Sequence, residues 1–128
     1  MTDLLLADSD IKSLDYWTEL LTDTDITNIT QCMRGEEVID YMKGDNGPDL
    51  VVLSVGLEGL DALETARQLT HHYHRIPVLF QTTHGSGPFP RKLLELGARG
   101  YVSRDTPKEE LLHGLSLLLQ GEKYISCE

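Results

Sequence analysis

Five short apolar runs punctuate this chain, and between them apolar residues recur every three or four positions. The runs are Leu4–Ala7, Ile26–Cys32, Leu50–Leu53, Val78–Thr82 and Gly100–Ser103. Leu50-Val51-Val52-Leu53 has no polar interruption, the mark of a strand covered on both faces. The intervening stripes are helical: Ile11, Leu14 and Leu21; Val38 and Met42; Leu60, Leu63, Ala66 and Leu69; Leu93, Leu94 and Leu96; and Leu111, Leu115, Leu118 and Leu119. Strict alternation of strand and helix predicts a parallel sheet with right-handed crossovers and helices on both faces.

The punctuation agrees. Gly44-Asp45-Asn46-Gly47-Pro48 is a dense loop signal ahead of the third strand. Thr106-Pro107-Lys108-Glu109 predicts a helix start, with Thr106 as N-cap and Glu109 closing a capping box. Gly121 follows the last stripe, where a C-terminal glycine belongs. Gly85-Ser86-Gly87-Pro88-Phe89-Pro90 would delay any helix that follows the fourth strand.

Length and composition narrow the picture. One domain is expected from 128 residues. A net charge of −10 repels phosphate backbones, so direct nucleic-acid contact by this domain is not expected. No apolar stretch approaches the roughly 18 residues of a membrane span, and Cys32 and Cys127 form no disulfide framework, so a reducing cytoplasm is expected. Cys32 reads as a small buried core residue. His71 and His74 share a helical face without a further ligand at metal-site spacing, so the cluster reads as a solvated helix end.

In open parallel sheets the chemistry sits beyond the carboxyl ends of the strands. Here those ends bring Asp8 and Ser9, Ser54, Thr82 and Arg104 to one edge. At these residues the sequence resembles the receiver domains of two-component response regulators. LLLADSD resembles the first-strand motif that usually carries adjacent aspartates. PDLVVLSVGLEGLDALE resembles the segment whose strand ends in the phosphoacceptor aspartate. IPVLFQTTH resembles the fourth strand with its hydroxyl residue, and GARGYVSRDTPKEELL the fifth with its lysine. RGEEVIDYM and GEKYIS look most like the subgroup that carries a LuxR/NarL-type helix-turn-helix after the receiver. The fold implied is a single α/β (βα)5 flavodoxin-like three-layer sandwich of strand order 2-1-3-4-5. It spans residues 1–122, and 123–128 begin a linker toward a DNA-binding domain beyond this chain.

The departures matter more. Ser9 stands where the resemblance implies the second metal-binding aspartate, Ser54 where it implies the phosphoacceptor, Arg104 where it implies lysine, and Glu58 where it implies proline; Asp8 and Thr82 match. Aspartyl phosphorylation needs a carboxylate nucleophile and Mg²⁺ to neutralise the phosphoryl oxygens. Mg²⁺ in turn needs hard, preferably anionic oxygen ligands. One carboxylate and two hydroxyls supply neither, and His84 is the one histidine close to the matched edge motifs. The expectation is an atypical pseudo-receiver with no catalytic residue, no cofactor and no tight Mg²⁺ site.

Asp8 then has two readings: a relic held by backbone amides, or a partner of Arg104, whose planar fork can grip a carboxylate. Ser54 is either a small loop-closing residue or a hydroxyl that is modified or binds a ligand. Tyr101, on the fifth strand, is an ordinary packed tyrosine or the aromatic switch the resemblance implies. The partners implied are a second copy of the chain and an effector, in cis or in trans. A flavodoxin-like cofactor-binding domain is the competing class, but it would need a Gly-rich phosphate cradle where this chain has Asp8-Ser9-Asp10.

Overall fold

A computed structural model describes residues 2–44, 47–54, 62–73, 75–82, 95, 97, 99–103 and 106–125. Its strands are β1 (Thr2–Ala7), β2 (Ile26–Cys32), β3 (Leu50–Ser54), β4 (Val78–Thr82), β5 (Gly100–Ser103) and β6 (Tyr124–Ile125). Its helices, numbered in chain order, are α1 (Lys12–Leu20), α2 (Gly35–Met42), α3 (Ala62–His72) and α4 (Lys108–Leu119). The stripe at Leu93–Leu96 and the glycine-proline segment before it are outside the described residues, apart from Glu95.

All pairings are parallel, in the order β2-β1-β3-β4-β5-β6. The sheet thus has the expected 2-1-3-4-5 order, with one short strand added. Period-two alternation divides the central strands between two cores. Leu5, Ala7, Val51, Leu53, Val78 and Phe80 pack against Val38 and Met42 of α2 and Ala66 and Leu69 of α3. Leu4, Leu6, Leu50, Val52 and Leu79 pack on the other face against Trp17 and Leu20 of α1 and Leu111, Leu115 and Leu118 of α4. Leu5, Leu6, Val51, Val52 and Leu53 are fully buried, each side chain worth about 1.5–3 kcal/mol relative to exposure. At the edge, β2 exposes Thr27 and Asn28, polar side chains suited to an unpaired strand margin.

The structure adds three local details. Ile11, the residue ahead of α1, is 73% exposed, while Leu14 and Leu21 pack on the α1/α4 core as expected and Ser13, Trp17 and Leu20 extend the same buried face. The N-cap of the last helix is Pro107, not Thr106: the Pro107 carbonyl accepts the first helical bond from Leu111 N, and Pro107 ψ is still extended at 146°. Tyr124–Ile125, in the segment expected to begin a linker, pairs with β5.

The end of α4 follows the sequence closely. Glu122 N donates to Leu117 O and Gly121 N to Leu118 O, the Schellman pair, with Gly121 at φ 91° supplying the left-handed residue.

Cys32 closes β2 in the α2/α3 core. Burial, with a smaller contribution from the Glu37 charge, pushes its thiol from the ordinary 9.0 up to about 11. Because the folded thiol holds its proton more tightly than the unfolded one, the resulting stabilisation is complete below about pH 9 and is lost as pH rises toward 11. In a Cys127→Ser chain, native Cys32 should react with a disulfide reagent at pH 8 about a hundredfold more slowly than in urea. Equal rates in the two states would contradict this.

Candidate functional site

The edge is built by register. Ala7 pairs with Leu53, which brings Asp8 and Ser54 abreast at the ends of the two central strands. Ser54 pairs with Gln81, Gln81 with Val102, and Thr82 with Ser103. The backbone of Thr82 is therefore at the same edge, one residue further along. Arg104 lies outside the described residues, as do Glu58, His74, His84 and Cys127.

Asp8 is 4% exposed. Its amide donates to Cys32 O at 3.0 Å, and its Oδ1 accepts from Asp10 N at 3.0 Å. That second bond is an Asx turn, in which a side-chain carboxylate organises the loop after the strand. Asp10 repeats the device, its Oδ1 accepting from Lys12 N at 2.9 Å. Ser9 turns toward β2, and its hydroxyl donates to Met33 O at 2.5 Å. Gln31 Nε2 then ties the loop down, donating to Asp8 O at 2.8 Å and Asp10 O at 3.1 Å. The loop after β1 is thus held by its Asx turns and by bonds to Gln31 and Met33, with a carboxylate oxygen and a hydroxyl proton committed to backbone groups.

Ser54 is half-buried, and Ser103, at the matching end of β5, is 2% exposed. Tyr101 is also 2% exposed, within the α2/α3 core alongside Phe80 and Leu53. Behind the edge, on the α1/α4 face, Trp17 Nε1 donates to Gln81 Oε1 at 2.8 Å in a fully enclosed setting.

Two members of this frame, Gln31 and Gln81, were not singled out in the sequence. The signal was a glutamine inside an otherwise apolar strand run, VLFQT, since a buried amide must have partners. A cleft of about 560 Å³ lined by Arg67, Thr70, His71, Ile76, Glu95, Gly97 and Arg99 opens at the opposite, amino edge of β4 and β5. It has no part in this arrangement. The rings of His71 and His72 meet edge to face at 4.8 Å, and both residues are exposed.

A magnesium ion keeps near-octahedral geometry and favours carboxylates; among the described residues at these strand ends, Asp8 Oδ1 accepts from an amide and the Ser9 hydroxyl donates to a carbonyl.

Residues 4–116 match the profile of one family, the response regulator receiver domain. The chain belongs to that family. Among receiver-bearing relatives, it is 32% identical over 110 residues to the response regulator GacA of Pseudomonas viridiflava, across 85% of this chain and 51% of that protein. It is 24% identical over 94 residues to the response regulator UvrY of Escherichia coli strain K12, across 73% of this chain and 43% of that protein. The chain therefore spans about half the length of these relatives or less. Its fold matches that of a LuxR-family two-component response regulator from Aurantimonas sp. SI85-9A1, with a TM-score of 0.88 at 22% identity over 98% of this chain and 90% of that one. It also matches the isolated REC domain of RcsB from Salmonella enterica serovar Typhimurium, with a TM-score of 0.85 at 15% identity over 98% and 93% of the two chains. Among the described residues no helix is long and apolar enough to cross a membrane.

Proposed function

We propose that this receiver is a phosphorylation-independent regulatory module, a pseudo-receiver that works through protein contacts and catalyses no reaction. One observation carries the reading. At the end of β3, where the receiver pattern implies an acceptor aspartate, stands Ser54, abreast of an Asp8 whose carboxylate is engaged by the loop it organises. An acyl phosphate needs a carboxylate, and a serine hydroxyl can form only an acid-stable phosphate ester.

The rest of the edge supports the same view. Ser9 holds the chain to β2 through Met33, and Arg104 replaces a lysine at the end of β5. Tyr101, the candidate switch, already has its ring in the core. A two-state element moves only when a ligand distinguishes its states, so the input here is a protein or another effector that reads this surface. Because the named relatives are response regulators and a fold neighbour is a LuxR-family one, the output is a DNA-binding effector in cis or in trans, with self-association as homodimer and a cytoplasmic setting. A flavodoxin-like cofactor role is disfavoured by an acidic loop after β1 that fills its own hydrogen bonds.

Incubation with acetyl phosphate and Mg²⁺, followed by intact mass and sedimentation, tests the reading. No phosphoryl increment and unchanged association are expected. An acid-labile increment would sink the proposal; an acid-stable one on Ser54 after treatment with a serine kinase would replace it with the modified-hydroxyl alternative.

A further inference from the structure

We propose that the outer edge of β5 and a notch in α4 form a docking groove for a short strand led by an aromatic ring, and that Tyr124–Ile125 is its releasable occupant. The notch is Gly114. It stands in the middle of a leucine-rich helix, where glycine weakens the helix and needs a packing reason. The reason is Tyr124: a Cβ at Gly114 would lie 2.3 Å from ring carbons Cδ2 and Cε2. Gly100 opens the other wall. A Cβ there would come within 2.7 Å of Leu79 Cδ1, 3.0 Å of Leu118 Cδ1 and 3.2 Å of Tyr124 O. Gly114 thus clears the seat of the ring, while Gly100 makes room for Leu79 and Leu118 and for the Tyr124 backbone beside them.

The backbone completes it. Tyr124 N donates to Arg99 O at 2.9 Å, and the register sets Tyr124 beside Gly100 and Ile125 beside Tyr101. The Schellman turn at Gly121 sends the chain back along β5, so the tail reaches the groove with two residues between them. Among the described residues the strand is short, two residues on one edge with one ring in a notch. Such an element opens at the low end of local unfolding free energies, well before the central sheet. Opening uncovers an unpaired strand edge and an apolar slot together, the combination that accepts an added strand.

The groove and the edge at Ser103 share one four-residue strand, so they lie about 10 Å apart along β5. In the regulatory reading above, on which this clause rests, whatever follows residue 125 takes its position from β5. The groove and its latch stand without that reading.

Hydrogen exchange on the full chain tests the latch with no phosphoryl donor present. In the unmodified chain the Tyr124 amide should exchange faster than that of Val51, which donates to Pro77 O in the central sheet. Gly114→Ala should expel the ring and speed Tyr124 exchange about tenfold or more, with Val51 little changed. Equal rates for the two amides in the unmodified chain, or an unaltered Tyr124 in the variant, would overturn the proposal. Should Gly114→Ala fail to fold, thermal melts of Tyr124→Ala and of Gly114→Ala/Tyr124→Ala decide instead. With the ring gone the alanine methyl has room and favours the helix, so the double variant should melt higher. A double variant melting no higher than Tyr124→Ala would remove the plug as the reason for the glycine.

Discussion

Replacing Trp17 with alanine is expected to lower stability by about 5 kcal/mol, a large share of what a domain this size possesses. The indole is fully buried, the largest side chain in the α1/α4 core, and its loss leaves a cavity that leucines around it refill only in part. A second cost follows from Gln81. Its Oε1 accepts the indole N–H at 2.8 Å, and an enclosed carbonyl deprived of its donor costs about 1–3 kcal/mol. Trp17→Phe isolates that second cost because most of the apolar volume remains. Trp17→Phe/Gln81→Met removes both partners and should recover much of it, since the penalty belongs to the orphaned group. Urea melts followed by circular dichroism would show a lower midpoint at unchanged slope for Trp17→Phe. A Trp17→Phe chain as stable as the unmodified one would remove the hydrogen bond from the account of this core.

The second large effect is a gain. Ser9→Asp/Ser54→Asp/Arg104→Lys should give the receiver edge a Mg²⁺ dependence and an acid-labile phosphoryl group with acetyl phosphate. Asp8 and position 54 already stand abreast at the ends of β1 and β3. Three carboxylates close together repel, so the metal-free variant should be less stable than the unmodified chain. Mg²⁺ at a hundred times its dissociation constant would then add back about 2.7 kcal/mol. Trp17 is a built-in reporter: it bonds Gln81, which pairs with position 54. A variant with neither metal-dependent melting nor phosphorylation would show that the edge departs from receiver geometry in more than these three side chains. The proposed silence of the pocket would then need another cause.

Among the described residues, the strands were legible because buried parallel strands leave uninterrupted apolar runs. Ile26–Cys32, Val78–Thr82 and Gly100–Ser103 stand as read, and Leu50–Leu53 gains one residue. Gly121 was legible too, since a left-handed helix end calls for glycine. The edge residues followed from topology: once β1 and β3 are neighbours, Asp8 and Ser54 must meet. Less was visible of how each side chain is spent. Nothing in ADSD shows that Asp8 would cap Asp10, or that Ser9 would turn to Met33. The carbonyl that holds the Ser9 hydroxyl belongs to Met33, just beyond β2, and no local pattern displays it.

Among the described residues, local pattern by itself therefore determined strands β1 to β5, the helical stripes between them and the place of Asp8 and Ser54 at the carboxyl edge, because periodicity and turn chemistry act over a few residues. Tertiary structure alone decided the Trp17–Gln81 bond, the Ser9–Met33 bond and the seating of Tyr124 on Gly114. Each of these is a contact between different elements or loops of the chain. Such contacts are chosen by volume and hydrogen-bond satisfaction in the packed interior, quantities that exist only once the sheet has brought the partners together.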